Sequence, residues 1–295
     1  MHKATQPYWL SSPALAFYCL FVAAPLAATL LLSLNGYQDG IGILPVLSSG
    51  NYVEILSDPY FHGIFARTLY LALTVTLVCI LIGVPEAYIL YRMQPPWRGL
   101  FLMVILGPLL IAVVVRTLGW ALIFGGAGVL SQSAQALGLA DRPVSLMYTM
   151  TGMVIALVHV LVPFVVIAVW AALQRLDRNI ELAGESLGAG QFTILRRLVL
   201  PQVVPGIVSG SIIVFSLAAT AFATPAIIGG RRLKVVATLV YDEFLNTLNW
   251  PLGAAVAVIM LLANVGLVVS YSRMMERRRD QRQKKVSLAF KEKTV

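Results

Sequence analysis

The sequence predicts an all-α membrane protein with six transmembrane helices, and three observations carry that prediction. Hydrophobic residues make up 59% of the 295 residues and charged ones only 12%. Soluble domains run at about half and about a quarter, so this chain is buried in something other than its own core. Apolar runs long enough for the ~20 residues of a membrane-crossing helix recur six times, near 12–34, 65–91, 99–123, 146–173, 204–228 and 250–272. The period-two alternation of membrane barrels is absent, so the spans are helices. The whole chain, 1–295, reads as a single transmembrane domain.

Taken in order, the first apolar stretch, Pro13 to Leu34, exceeds the about 7–15 residues of a signal-peptide core and is expected to be a retained helix. The 35–64 loop has room for a short helix over Tyr52–Leu56. Span two carries Glu86 after Pro85 and ends at the tight turn "RMQPPWR", 92–98, whose prolines stop the helix. Glu86 has two readings, a carboxylate snorkelling toward the interface near Arg92 or a group that attracts a cation. Span three holds Arg116 and Trp120, and an intramembrane arginine is costly enough to mark function. Arg116 either lines a translocation path or braces helices through backbone carbonyls. Bracing is favoured, because a cation gains nothing from a fixed positive charge. His159, in span four, reads first as a satisfied core residue. The 124–145 loop is rich in Gly and Ser. The 229–249 loop joins "GGRRLK" to "YDEFLNTLNW", in which Asp242, Glu243, Tyr241 and Phe244 mix acidic and aromatic groups.

Orientation follows from Lys and Arg. Of the 22, only Arg67, Arg116, Arg142, Arg231, Arg232 and Lys234 fall in spans or loops assigned to the outer side. The rest, including Lys3 and the tail from Arg273 to Lys293, share one side with the 174–203 loop. Both termini and that loop are therefore placed in the cytoplasm. The net charge of +9 comes largely from the tail "RMMERRRDQRQKK", where basic residues hold topology and meet anionic headgroups. No nucleic-acid partner is implied. Cys19 and Cys79 lie inside spans without metal-ligand spacing, and no metal site is expected.

The 174–203 segment interrupts the apolar pattern with charges, glycines and prolines. Asp177 is placed to cap a helix, and Glu181 near its start suits the helix dipole. Ile180, Ala183 and Leu187 recur on one helical face. Gly188 is placed to end the helix in a left-handed conformation. A second short helix is expected from Gln191, with Phe192, Leu195 and Val199 on one face, until Pro201 and Pro205 break it. The result is a helix–turn–helix offering an apolar ridge, either to a partner or to the headgroups.

This segment resembles the EAA loop of the membrane subunits of binding-protein-dependent ABC importers, whose pattern is E-A-A-x-x-x-G followed by I-x-L-P. Ala183, Gly184, Leu187, Gly188 and Ala189 fill its first half, and Leu198, Leu200 and Pro201 its second. Leu182 stands where the motif glutamate is expected, with Glu181 and Glu185 on either side. The coupling contact is therefore apolar at that position or shifts to Glu181 or Glu185. "NYVEILSDPYF", "RTLGW" (116–120), "TPAIIGG" (224–230) and "NWPLGAA" (249–255) extend the resemblance and are similar to the spermidine/putrescine permease branch.

The resemblance implies a type I ABC importer permease in a bacterial inner membrane. Its partners would be two ATP-binding subunits, a second homologous permease subunit and a periplasmic binding protein landing on the outer loops. No phosphate-binding G-x-x-x-x-G-K-[ST] loop is present, so ATP and Mg belong to the partner ATPase and this chain binds no cofactor. The chain is not itself an enzyme. A polyamine is the leading solute, ahead of 4-aminobutyrate or other amino acids, phosphonates and opines. An ion-coupled secondary transporter is the rival, but it would want paired carboxylates or broken helices at mid-membrane depth.

Overall fold

The computed structural model describes residues 6–292, so Lys3 and Lys293 of the charge census lie outside the described residues. The chain packs as two compact units, residues 1–63 with 236–263, and residues 64–235 with 264–295.

In the first unit, α1 (Gln6–Tyr18) runs through a π turn (Cys19–Ala23) into α2 (Ala24–Ser33). Together they supply the apolar span Ser12–Ser33, whose side chains are almost all exposed. A two-stranded antiparallel hairpin follows, β1 (Asn35–Gln38) with β2 (Gly42–Leu47). The sequence reading did not foresee it, although the Asp39-Gly40 pair is a known hairpin signal. Gly40 and Gly42 take positive φ there, 81° and 96°, which a Cβ would resist. The short helix expected over Tyr52–Leu56 is α3 (Gly50–Ser57). Asn51 holds it down, donating from Nδ2 to the carbonyls of Ser33 and Asn35, each at 2.9 Å. The Ser33 and Tyr52 hydroxyls share a hydrogen bond of 2.6 Å. The "NY" of the first family-like stretch is thus a clasp between α3 and the end of α2.

Two further helices complete this unit, α12 (Val236–Leu245) and the first turns of α13 (Trp250–Glu292). Asn249 caps α13 by accepting from Leu252 N at 3.2 Å, and a Cβ on Gly253 would lie 2.8 Å from Phe244 Cδ2. Asp242 accepts from Asn246 Nδ2 and Glu243 from Thr247 Oγ1, so the acidic-aromatic patch is bound up in local turns. Burial pushes the Glu54 carboxyl above its usual range, with Asp58 and Glu243 adding repulsion. The folded state then holds that proton more tightly than the unfolded chain. The contribution favours the fold at acid pH and is lost as pH rises through the raised value. Glu54→Gln should raise the thermal midpoint at about pH 7.5 and give no gain near pH 4. An equal gain at both would show the repulsion is not electrostatic.

The second unit is built around α4 (Pro59–Arg92), α8 (Met150–Leu173) and α11 (Leu200–Ala219). α4 starts six residues before the expected span and passes Pro85 without breaking. α8 and α11 form the most extensive helix pair in the fold. Their axes approach closely because α11 presents Gly206 and Gly210, a small-xxx-small face. A Cβ on Gly206 would lie 2.7 Å from both Ala168 O and Ala172 Cβ, and one on Gly210 would lie 3.0 Å from Val165 Cα. Gly83 of α4 also approaches Val165, where a Cβ would lie 3.0 Å from its Cβ and Cγ1. Met153, Val165, Val166 and Val169 are fully buried in this core.

Three expectations for this unit are corrected. The third span, expected as one helix over 99–123, is instead α5 (Trp97–Leu110) and α6 (Val113–Phe124), separated by extended backbone at Ile111 and Ala112. Pro108 lacks an N–H and weakens the ladder just before the break. The apolar stretch continues through α7 (Val129–Ala136), inside what was expected to be a loop. The fifth span leaves its helix at Ala219 rather than 228, and Pro225–Gly229 form a separate π turn. Its N-terminal side is longer than expected. α10 (Gln191–Ile194), a π turn (Leu195–Val199) and α11 form a continuous helical rod from Gln191 to Ala219, unbroken by Pro201 and Pro205. The wide π turn relocates the carbonyls that a proline ring would otherwise strike, and Pro201 then sits in the first turn of α11, where no N–H is required.

Candidate functional site: the helix–turn–helix over residues 177–200

Local chemistry forms the first half of this element as the sequence indicates. Asp177 accepts from Asn179 N at 3.0 Å and caps α9 (Arg178–Ser186). At the other end Gly188 takes φ 77°. Its N–H donates to Glu185 O at 2.9 Å and the Ala189 N–H donates to Gly184 O at 3.0 Å. This paired closure is a Schellman turn, and it needs a residue free of a Cβ at Gly188.

The side chains of α9 divide by direction. Gly184 is buried, and a Cβ there would lie 2.9 Å from Leu198 Cδ1 and 3.1 Å from Ile194 Cγ1. The missing side chain lets α9 lie on the 191–199 turn, where Ile194 and Val199 are buried. Outward stand Leu182 (58% exposed), Leu187 (87%) and Phe192 (73%), with Ala183, Glu185, Arg196 and Arg197 also exposed. The expected apolar ridge therefore exists, but its membership is shifted: Ala183 and Leu187 belong to it, and Val199 does not. Ala189 and Leu200 are half-buried and Pro201 is exposed.

Glu181 is only 7% exposed, against the expectation that it shares the partner-facing side. Its Oε2 lies 2.6 Å from Arg92 Nη2 at the C-terminal end of α4. Glu86 is expected near Arg92, but six positions on one helix put the two side chains about 120° apart. Among the described residues, Glu86 has no hydrogen-bond or ion-pair partner. The Arg92–Glu181 pair was not legible in the sequence, since neither local spacing nor periodicity links the two.

A second grouping lies in α6 and α8. Arg116 Nη1 donates to Pro108 O, and to Ile111 O at 3.3 Å. Its guanidinium thus takes carbonyls left free by the break between α5 and α6. Trp120 Nε1 donates to His159 Nδ1 at 3.3 Å, with the rings edge to face; that bond requires an unprotonated Nδ1. Thr117 and Thr224 hydroxyls meet at 3.3 Å, both buried. The two family-like stretches "RTLGW" and "TPAIIGG" are therefore neighbours. Glu86 is not brought into this group by any contact among the described residues. Near the end of α4, Tyr91, Arg98, Trp170, Gln174 and Leu176 line an open cavity of about 500 Å³ that the sequence did not announce.

Comparison with known proteins matches this architecture. Residues 83–280 fit the family of the binding-protein-dependent transport system inner membrane component. The spermidine/putrescine transport system permease protein PotB of Escherichia coli K12 is 28% identical over 250 residues, covering 85% of this chain and 90% of that protein. The molybdenum transport system permease protein ModB of Mycobacterium tuberculosis is also 28% identical, over 270 residues, covering 91% and 94%. Among solved structures, a bacterial ABC transporter involved in import of the acidic polysaccharide alginate superposes with a TM-score of 0.74 at 16% identity, covering 92% of this chain and 96% of that one. That likeness establishes the fold alone. With its six apolar helices, the chain belongs to the binding-protein-dependent inner membrane components: it is a multi-pass permease subunit of an ABC importer.

Proposed function

We propose that this permease is driven through residues 177–200 by a separate ATPase and carries a polyamine into the cytoplasm by alternating access. The observation that carries the coupling half is the exposed ridge of Leu182, Ala183, Leu187 and Phe192 on a capped, internally packed helix–turn–helix. Solvated apolar side chains on a rigid support are what a groove on a partner would bury. ATP and Mg sit on two such ATPase subunits, and none binds this chain. A second permease subunit completes the pathway, and a periplasmic binding protein delivers the solute. Both termini and the 174–203 segment face the cytoplasm, in line with the positive-inside distribution.

Docking is tested with Leu187→Cys and Ala189→Cys in membranes containing the co-expressed ATPase subunit bearing cysteines along its groove. A crosslinked adduct is expected at the exposed position 187 and at the half-buried position 189 beside it. No adduct at any position from 177 to 200 overturns the reading.

The polyamine assignment rests on similarity to PotB. A small oxyanion is the second reading, because ModB matches over a similar share of the chain and Arg116 brings a fixed positive charge into α6. Calorimetry on the binding protein encoded alongside, with spermidine, putrescine and molybdate, separates the two. Heat with molybdate and none with the polyamines would reject the polyamine.

A further inference from the structure

The pair Arg92–Glu181 joins an element meant for a partner to the end of a transmembrane helix, and its environment is unequal on the two sides. Glu181 Oε2 is 2.6 Å from Arg92 Nη2, while Glu181 Oε1 is buried with no hydrogen-bond partner among the described residues. Among the described residues, Arg92 is the one charge-compensating contact of this carboxylate. The Arg92 side chain is 40% exposed and is steered from the preceding turn of α4. The Tyr88 hydroxyl accepts from its Nε and Nη2 at 3.2 and 2.8 Å, and the guanidinium lies 5.3 Å from the Tyr88 ring centre. One step along α9 turns a side chain by about 100°, so Leu182 is outward where Glu181 is inward.

We propose that Arg92 and Glu181 are positioning residues for coupling: their ion pair makes α9 and the C-terminal end of α4 move as one body. It also turns the carboxylate of the element inward, leaving an apolar ridge to meet the ATPase. This rests on the docking reading above. α9 is then fastened twice, by charge to α4 and by the Gly184 contact to the 191–199 turn. A displacement at the ridge reaches α4 directly, besides travelling along the chain into α8 and α11.

The test uses the full complex with its ATPase, with spin labels at Ile89→Cys on α4 and Ser186→Cys on α9, in a Cys19→Ser, Cys79→Ala background. All four positions lie outside the pair, and Ile89 and Ser186 are exposed. The label-to-label distance is measured by pulsed electron resonance without nucleotide and after trapping with ATP and vanadate. A single narrow distance, the same in both states, is expected. Arg92→Ala should lose that narrow, nucleotide-independent peak, and the exchanged pair Arg92→Glu with Glu181→Arg should recover it. Arg92→Ala strands a buried charge and risks misfolding, whereas removing both charges does not. Arg92→Ala with Glu181→Gln therefore reads the same loss in a folded protein. A distance that changes on trapping in the intact pair, or a double variant with an unaltered peak, overturns the proposal. If no ATPase copurifies even with the unmodified pair, the docking reading fails instead.

Discussion

Gly206→Leu is expected to abolish stable pairing of α8 and α11 while Ser209→Leu, three residues along the same helix, is tolerated. A Cβ at Gly206 would already lie 2.7 Å from the Ala168 carbonyl oxygen and from Ala172 Cβ, and 3.3 Å from Val169 Cα. Two of these atoms are backbone and cannot rotate away, so the helices must separate. Overpacking of this kind costs about 3 kcal/mol. Separation also forfeits the close backbone approach that holds helices together in lipid, where no hydrophobic force drives them into contact. Ser209 is exposed, with its hydroxyl on Pro205 O, and a leucine there meets none of the α8 backbone. Heating detergent-solubilised protein and following the monodisperse fraction by size exclusion gives the comparison. A Gly206→Leu midpoint equal to that of Ser209→Leu would show that α8 and α11 do not pack through this face.

Gly184→Val is expected to leave the six spans folded yet lose at least about 90% of ATPase capture, with Gly184→Ala retaining most of it. The neighbours of Gly184 are Leu198 Cδ1 at 2.9 Å and Ile194 Cγ1 at 3.1 Å. Leu198 Cδ1, the closer of the two, is the end of a flexible side chain and gives by a few tenths of an ångström for one methyl, but a branched group would also press on the stiff, buried Ile194. With valine, α9 must lift from the 191–199 turn, which misplaces Leu182 and Leu187 relative to Phe192. A loss of this size corresponds to about 1.4 kcal/mol in binding. Copurification of the ATPase subunit with each variant measures the effect. Equal capture by the valine and alanine variants would mean that the ridge works without its seat on the turn.

The lettering of α9 was legible because its determinants are local. Asp177 reaches an N–H two residues away and Gly188 closes a turn on the residues just before it. Phe192 is exposed for a similarly local reason, since two positions turn it about 160° from the buried Ile194. Leu187 lies only about 60° from Gly184, and it is exposed as the C-cap residue where α9 ends. The direction of Glu181 was not legible. Spacing permits it to face either a partner or the fold, and the choice depends on Arg92, which the chain brings back from a distant helix. Arg116 shows the same limit. Its bonds to Pro108 O and Ile111 O presuppose a helix break that apolar periodicity conceals, because every residue around it is as hydrophobic as an unbroken span requires. The Gly206-Gly210 spacing is a packing signal that the sequence carries, but only the close approach of α8 gives it meaning.

By itself the sequence determined that this protein lives in a membrane, crosses it in six helical spans and carries one capped, apolar-ridged element between the fourth and fifth. Composition and nearest-neighbour chemistry suffice for that, since lipid leaves the backbone no other way to satisfy its hydrogen bonds. Only the tertiary structure decided where the third span breaks, that the fifth runs on through Pro201 and Pro205, and that Glu181 faces Arg92. Each of those depends on which carbonyl, side chain or charge arrives from elsewhere in the chain to compensate a locally unfavourable choice.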